Sequence, residues 1–326
     1  MSEQTPQIAL LGCGLWGRNI ARNLAALDAL YAVHDLNSDA AQNFADEFNA
    51  NVMTFDEMLK DEAIDGIAIV TSAPTHAKLA VAALNAGKAV YIEKPLALTV
   101  EDAEMIAEAA ANNGKQVMVG HLIRHHAAFQ ELLSQVKEGA IGKLMHIRAS
   151  RIAAGRIRDT ESVLFDLCPH DLALINALTG GEMPSRVQCH GFSHITDGIE
   201  DSVTAQLDFP SGVTASVQAN WLNPVKIHNL TVIGETGALV FDDTRGWDEK
   251  LRLFKFAVHK NEGGIDLDRD DGTALPVEPA EPLKDEMRNF LTAACRDEVP
   301  LTDIKEALIV QRIMAAMEDD MKRSAT

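Results

Sequence analysis

Along the first third of the chain, short unbroken apolar runs alternate with stretches of helical spacing. Residues 7–11, 30–34, 52–55, 66–70, 89–92 and 116–121 read as strands, and residues 15–29, 41–48, 55–60, 77–86 and 99–113 as helices. Strands that are apolar throughout are buried on both faces, as in a parallel sheet with helices above and below. After His121 the rhythm changes. A helix is predicted over 127–138, a strand over 144–151 and a helix over 162–178. Strands then crowd together at 186–194, 201–209, 213–221, 227–234, 238–241 and 251–256. These strands alternate apolar with polar, and turn sequences such as Pro210-Ser211-Gly212 and Glu235-Thr236-Gly237 separate some of them, so the expectation is an open, mostly antiparallel sheet with one wet face. Residues 260–282 are acidic and rich in Gly and Pro and read as a surface loop, and helices over 283–296 and 303–322 finish the chain. The fold class is therefore α/β: a doubly wound parallel sheet over 1–123, then an α/β domain over 124–326 with a large open, mostly antiparallel sheet.

The first strand runs straight into Gly12-Cys13-Gly14-Leu15-Trp16-Gly17 and then a helix. This is G-x-G-x-x-G with the strand before and the helix after that its chemistry needs. Gly12 permits the tight turn, Gly14 lets the backbone approach a pyrophosphate, and Gly17 lets helix pack on strand. The free N–H groups of the helix start suit phosphate. Leu15 and Trp16 sit in the turn itself. Asp35 closes the second strand at the spacing of a ribose-binding carboxylate. A 2′-phosphate would bring roughly −1.5 to −2 charges against it, at about 4 kcal/mol per like-charge pair at ~4 Å and an effective dielectric near 20. Leu36-Asn37-Ser38 supplies no cation to offset this, which predicts NAD over NADP.

Two further constellations carry chemistry. Residues 89–92 end in Glu93-Lys94-Pro95, where proline stops the strand and holds Lys94 away from helical geometry. A lysine at the carboxyl end of a strand in such a sheet is a candidate proton carrier; a solvated strand terminus would look the same. In the 162–178 helix, Asp166 and His170 are four apart and share a face, so a carboxylate could orient a titrating imidazole. An ordinary surface pair has the same spacing, but the interior Pro169 is costly and points to a functional site. Arg148, Arg151, Arg156 and Arg158 fall within eleven residues, and Arg124, His125 and His126 follow His121. Arginine suits carboxylate and phosphate; a solvated strand face is the alternative. His121 with His125 lacks a third ligand nearby, so no metal is expected.

Composition narrows the function. The 326 residues carry 47% hydrophobic side chains and a net charge of −19. That charge argues against nucleic acid and anionic membranes as partners, and an anionic substrate would need a local basic cluster. No apolar run reaches membrane-spanning length, the first seven residues lack signal-peptide order, and the four scattered cysteines show no metal spacing. A cytoplasmic enzyme with a small-molecule substrate is expected.

Together the Gly12 turn, the Ser72-Ala73-Pro74-Thr75-His76 loop, Glu93-Lys94-Pro95 and Asp166-x-x-x-His170 resemble the glucose-fructose oxidoreductase/inositol dehydrogenase/rhizopine-catabolism (Gfo/Idh/MocA) family nearly end to end. The resemblance implies a Rossmann domain holding NAD, with Ser72, Ala73, Pro74, His76, Glu93 and Lys94 beside the cofactor. It implies Lys94, Asp166 and His170 as the catalytic set, a Pro95 that can be cis, and a homodimer or homotetramer. Met118-Val119-Gly120-His121-Leu122, Gly155-Arg156-Ile157-Arg158, Trp221-Leu222-Asn223-Pro224 and Val240-Phe241-Asp242-Asp243-Thr244 are similar to nucleotide-sugar 3-dehydrogenases acting on UDP-N-acetylglucosaminuronic acid. That branch implies oxidation of a sugar's secondary hydroxyl, with Arg124, His125, Arg151, Arg156 and Arg158 toward substrate. The sequence departs from the branch at His125, Ala127, Ala153 and Phe165, where Tyr, Pro, Asn and Trp are usual. Which of Lys94 and His170 is the base stays open. So do a free polyol or inositol dehydrogenase, an NAD-dependent glycosidase and a non-catalytic NAD sensor.

Overall fold

The structure, a computed structural model, describes residues 5–155, 157–296 and 298–324. They form two compact units. The first comprises the described residues of Met1–His125 and Glu281–Gln311, the second those of His126–Ala280 and Arg312–Thr326.

In the first unit, six parallel strands alternate with helices: β1 (Ile8–Leu11), α1 (Leu15–Ala25), β2 (Leu30–His34), α2 (Ser38–Phe48), β3 (Asn51–Val52), α3 (Phe55–Lys60), β4 (Gly66–Ile69), α4 (His76–Asn85), β5 (Ala89–Ile92), α5 (Val100–Asn113) and β6 (Val117–Val119). The strand order is β3-β2-β1-β4-β5-β6, and every pairing is parallel. Successive strand residues point to opposite faces. Ala9, Leu11, Ile67, Ile69, Val90 and Ile92 accordingly join one apolar cluster, with Met58, Leu84 and Ile106 from the helices above them. Ile8, Leu10, Ala68, Ala89, Tyr91 and Met118 join the other, with Ile20, Leu24 and Phe44. Local signals set the helix starts. Thr54 and Glu57 close a capping box on α3, and the Asn37 side chain accepts N–H bonds at the start of α2. The first helix ends at Ala25, short of the expected residue 29, because the chain reverses through Asp28 at φ 54° to enter β2.

In the second unit, α6 (Ala127–Lys137) leads to β7 (Leu144–Ile152), α7 (Val163–Leu178) and then β8 (Arg186–Phe192), β9 (Ser202–Asp208), β10 (Thr214–Asn220), β11 (Ile227–Gly234), β12 (Gly237–Asp242), β13 (Leu251–Asn261), β14 (Gly264–Arg269) and β15 (Thr273–Ala274). The sheet runs β14-β13-β12-β11-β7-β10-β9-β8, with β15 on β13. Only the β7–β10 pairing is parallel. Buried and open positions alternate strictly along β9 and β12, and α7 packs on β7, β9 and β10 while α6 packs on β12. The expected loop over 260–282 is in part a hairpin: β13 runs on to Asn261 and turns through Gly264, at φ 141°, into β14. The six residues of β14 are all exposed, and the brief alternation of Ile265 and Leu267 with Asp266 and Asp268 sits inside an acidic, Gly-rich stretch that reads as loop.

The last helices are α8 (Pro282–Arg296) and α9 (Ile304–Ser324). Sequence analysis assigned everything after residue 123 to the second domain. In the structure, α8 belongs to the first unit, where Met287, Phe290 and Leu291 enter the cluster with Ile8, Leu10 and Tyr91. An amphipathic stripe shows that a helix has a buried face but not which sheet covers it. Residues 302–303 then pair with the outer strand: Val119 N–H donates to the Thr302 carbonyl at 2.9 Å, and the Thr302 hydroxyl donates to the Val119 carbonyl at 2.7 Å. This covers a sheet edge that would otherwise be open. Among the described residues, no helix is long and apolar enough to cross a membrane.

Candidate active site

In the first unit, parallel pairing brings the carboxyl ends of β1, β4, β5 and β6 to one sheet edge, where ligands of such sheets bind. At the end of β1, Gly12 has φ 103°, and a Cβ there would lie 2.5 Å from the Val70 carbonyl oxygen. A Cβ on Gly17 would overlap the Gly12 carbonyl oxygen. Gly14, the N-cap of α1, has nothing within 4 Å of where its Cβ would stand. Two glycines thus shape the turn against backbone, and the third leaves open space in front of a helix start, the form of a pyrophosphate cradle. Leu15 is 85% exposed at its rim. Asp35 accepts the Cys13 N–H at 2.7 Å and the Asn37 N–H at 2.8 Å, so its carboxylate is held beside the turn at the end of β2. The Cys13 thiol is pushed up to about 12 by burial, with Asp35 adding to the rise.

The β4 and β5 ends complete this half of the site. A single 3₁₀ turn, Ala73–Thr75, follows β4, with Ser72, Pro74 and Thr75 exposed. His76 lies behind it, 1% exposed, its ring nitrogens 3.1 Å from the Thr71 carbonyl and 2.9 Å from that of Pro95. His76 therefore ties two loops together from inside, whereas the sequence grouped it with the cofactor contacts. The Lys94–Pro95 peptide is cis. Lys94 is half-buried, and Glu93 beside it is buried. One Glu93 oxygen accepts the Trp16 indole N–H and the Tyr91 hydroxyl at 3.0 Å, and the other accepts the Lys94 N–H at 3.0 Å. Through Trp16, the glycine turn is bonded directly to the strand end that carries Lys94. Gly120, at the end of β6, makes room for this arrangement: a Cβ there would stand 2.6 Å from the Tyr91 hydroxyl and 2.9 Å from Glu93 Oε1.

Of the other predicted residues, Asp166, His170, Arg151 and Arg158 lie in the second unit, and Arg124 and His125 in the first. Asp166 sits in the first turn of α7, where a carboxylate is favoured by the helix dipole. It accepts Arg158 Nη2 at 2.8 Å on one oxygen and Trp221 Nε1 at 3.1 Å on the other. His170 lies one turn on, half-buried, after the interior Pro169. Arg158 also pairs with Glu161 at 2.8 Å, and Ile157, Arg158, Asp159, Thr160 and Thr196 line a cavity of about 280 Å³.

The arginines are placed differently from the sequence expectation. Arg151 grips the buried Asp171, with Nη2 at 2.8 Å and Nε at 3.2 Å from both oxygens. Arg124, in the first unit, makes a two-pronged pair with Glu306 at 3.0–3.3 Å. Arg151, Arg124 and Arg158 thus all meet carboxylates of the chain itself, which is where the basic residues of an acidic protein find their partners. His125 is 8% exposed, and burial together with Arg124 brings its pKa down to about 4. Arg156 lies outside the described residues. Sequence reasoning missed Gly120, the ladder role of Tyr91, and Glu286 on α8, whose Oε2 lies 3.2 Å from the Tyr91 hydroxyl. Glu286 had a legible signal: it is an acid on the apolar stripe of Leu283, Met287 and Phe290.

Comparison with known proteins agrees with these features. Residues 7–121 match the model of the Gfo/Idh/MocA oxidoreductase family's NAD-binding Rossmann fold, and residues 129–240 match the family's C-terminal domain. UDP-N-acetylglucosamine 3-dehydrogenase of Acidithiobacillus ferrooxidans is 32% identical over 212 residues, 65% of this chain and 66% of that protein, just under two thirds of its length. The scyllo-inositol 2-dehydrogenase (NAD(+)) of Bacillus subtilis is 27% identical over 261 residues, 74% of this chain and 75% of that one. A solved structure of the Acidithiobacillus ferrooxidans UDP-N-acetylglucosamine 3-dehydrogenase superposes with a TM-score of 0.84 at 25% identity, covering 97% of this chain and 99% of the other. The glycine cradle fits the dinucleotide that the family model describes, and the chain belongs to the Gfo/Idh/MocA family of NAD-binding oxidoreductases.

Proposed function

We propose that this protein oxidises a secondary hydroxyl of a nucleotide sugar, at carbon 3 as the name of its Acidithiobacillus relative suggests, with Lys94, Asp166 and His170 as the catalytic set. The observation that carries the reading is the bond between Trp16, in the glycine turn, and Glu93, which fixes Lys94 on the same sheet edge as the cradle. NAD, when bound, supplies the hydride acceptor. The glycine turn and the start of α1 hold its pyrophosphate, and Asp35 holds the adenosine ribose and disfavours a 2′-phosphate. Lys94 takes the proton of the substrate hydroxyl, with Glu93 fixing its backbone. Asp166, polarised by Arg158 and Trp221, binds a sugar hydroxyl beside His170.

A second reading, a dehydrogenase of free inositol or another polyol, is favoured by one observation. Arg124, Arg151 and Arg158 each meet a carboxylate of the chain, and a neutral polyol needs no arginine. The test is NADH formation with UDP-N-acetylglucosamine, its uronate, free sugars and inositols. Turnover confined to UDP sugars supports the first reading, and turnover on inositols alone the second. Lys94→Ala should bind NAD as the wild type does and lose about 10²–10⁴-fold in turnover, the usual worth of a positioned acid–base group. Turnover unchanged by that substitution would remove Lys94 from the mechanism.

A further inference from the structure

Behind the Glu93–Lys94 strand end lies a closed set of acid groups, of which the proposed reaction uses only Glu93. Glu286 of α8 is 0% exposed, among Met287, Phe290 and the first unit's apolar cluster. Its Oε1 has no hydrogen-bond partner, and its Oε2 lies 3.2 Å from the Tyr91 hydroxyl. That hydroxyl, 0% exposed, lies 3.0 Å from Glu93 Oε1. A phenol has one proton to donate, and here it stands between two carboxyl groups. If it donates to one, the other contact is a hydrogen bond only when that carboxyl brings its own proton.

The surroundings decide which acid brings it. Glu93 is met by three donors: the Trp16 indole N–H and the Tyr91 hydroxyl on one oxygen, and the Lys94 N–H on the other. This is the environment of a carboxylate anion. Glu286 has the Tyr91 hydroxyl as its one possible donor and none at Oε1, and a carboxylate ionised in an apolar site with so little donation is far costlier than the acid. Burial pushes both acids upward. Trp16, Lys94 and Tyr91 oppose that on Glu93, whereas on Glu286 only Tyr91 does, and the anionic Glu93 pushes Glu286 higher still.

We propose that Glu286 is a protonated positioning residue: its carboxylic acid donates to the Tyr91 oxygen, turns the Tyr91 proton onto Glu93, and so keeps Glu93 as the ionised anchor of Trp16 and of the Lys94 backbone. The protonation follows from the geometry of this cluster alone. Its consequence for turnover rests on the reaction proposed above. No bond to substrate is involved; Glu286 acts through Tyr91 and Glu93.

The first test needs no turnover. In infrared difference spectra of the NAD-bound protein at neutral pH, the wild type should show a protonated carboxylic C=O stretch that Glu286→Gln removes. Tyr91→Phe should keep that band and move it to the higher frequency of an acid without an acceptor. A wild type lacking the band, or a Glu286→Gln variant retaining it, overturns the proposal. A second measurement is stability against pH. The charged or titratable groups facing Glu286 are Tyr91 and Glu93, with Lys94 beyond them. Glu286 holds its proton folded and loses it unfolded above its ordinary value of 4.5, so its contribution falls as pH rises from there. Glu286→Gln should therefore gain in Tm over the wild type, by an amount that grows from pH 5 to 8; a difference constant with pH contradicts the proposal. In turnover, Glu286→Met should lose about fivefold in kcat, the worth of one net hydrogen bond, with KM unchanged, and Glu286→Gln, which keeps a donor, should restore it. Failure of the sugar substrates would leave the infrared and pH results to decide on Glu286 independently.

Discussion

Substituting alanine for Gly14 and for Gly12 in the cradle separates binding from folding. At Gly14, φ is −83° and nothing lies within 4 Å of the added Cβ, so the protein itself has no clash to relieve. Alanine is a poorer N-cap than glycine by some tenths of a kcal/mol to about 1 kcal/mol, and it restricts the unfolded chain by about 0.4–1 kcal/mol in the opposite direction. The two nearly cancel, and the melting temperature should move by less than ~3 °C, taking a domain of this size at about 2–4 °C per kcal/mol. The new methyl stands where the pyrophosphate backbone must approach. Forcing a group into a filled site costs about 1–3 kcal/mol, so the NAD dissociation constant should rise about 5- to 150-fold. Gly12→Ala behaves oppositely. At φ 103°, and with the Val70 oxygen 2.5 Å away, it strains the turn with or without ligand and should lower stability by about 2–4 kcal/mol. Calorimetric titration of NAD and thermal unfolding without ligand measure the two effects separately. A Gly14→Ala protein that binds NAD with wild-type affinity would refute the cradle geometry.

Two other perturbations test the charged groups. Arg151→Met leaves Asp171, whose side chain is only 4% exposed, without its cation, and should cost about 3–5 kcal/mol in urea unfolding; the further change Asp171→Leu should recover much of that loss, whereas an unaltered Arg151→Met midpoint would show that the pair contributes nothing. His125 has its pKa drawn from 6.5 down to about 4, so the unfolded chain takes up the proton first. Its contribution is present above pH 6.5 and is lost as pH falls toward 4, by about 3 kcal/mol at most. His125→Phe should flatten the acid limb of the stability curve, and an equal slope in both proteins would place the imidazole in water.

The first unit was legible because its signals are local. Strand, glycine turn, helix and acid come in one short stretch, and Lys94-Pro95 marks its own strand end. Parallel pairing then put these ends on one edge without further information. The antiparallel strands of the second unit were legible for a similar reason, since period-two burial is written in each strand. The β14 hairpin was missed because its short alternation, Ile265 and Leu267 between acids, is embedded in an acidic, Gly-rich stretch and both its faces are wet. The assignment of α8 failed because its apolar stripe fits either sheet, and only contact with Ile8, Leu10 and Tyr91 chooses the first.

The arginines show where residue type stops being informative. Four within eleven residues of an acidic chain look like an anion site. Yet the carboxylates that meet Arg151 and Arg124 lie 20 and 182 residues away, beyond any spacing rule. The same long reach hid the partner of Glu286, a tyrosine 195 residues away, though the acid on an apolar stripe was itself legible. Arg158 differs in degree. Its side chain is 36% exposed against 12% for Arg151 and 6% for Arg124, and its partners Glu161 and Asp166 are near in sequence. Exposure weakens what an ion pair holds, so exchanging an internal carboxylate for a ligand anion costs least at Arg158. The pairs at Arg151 and Arg124 are fold contacts by the same reasoning, and under the nucleotide-sugar proposal Arg158 is the one of these three whose internal carboxylate a diphosphate or uronate would displace at least cost.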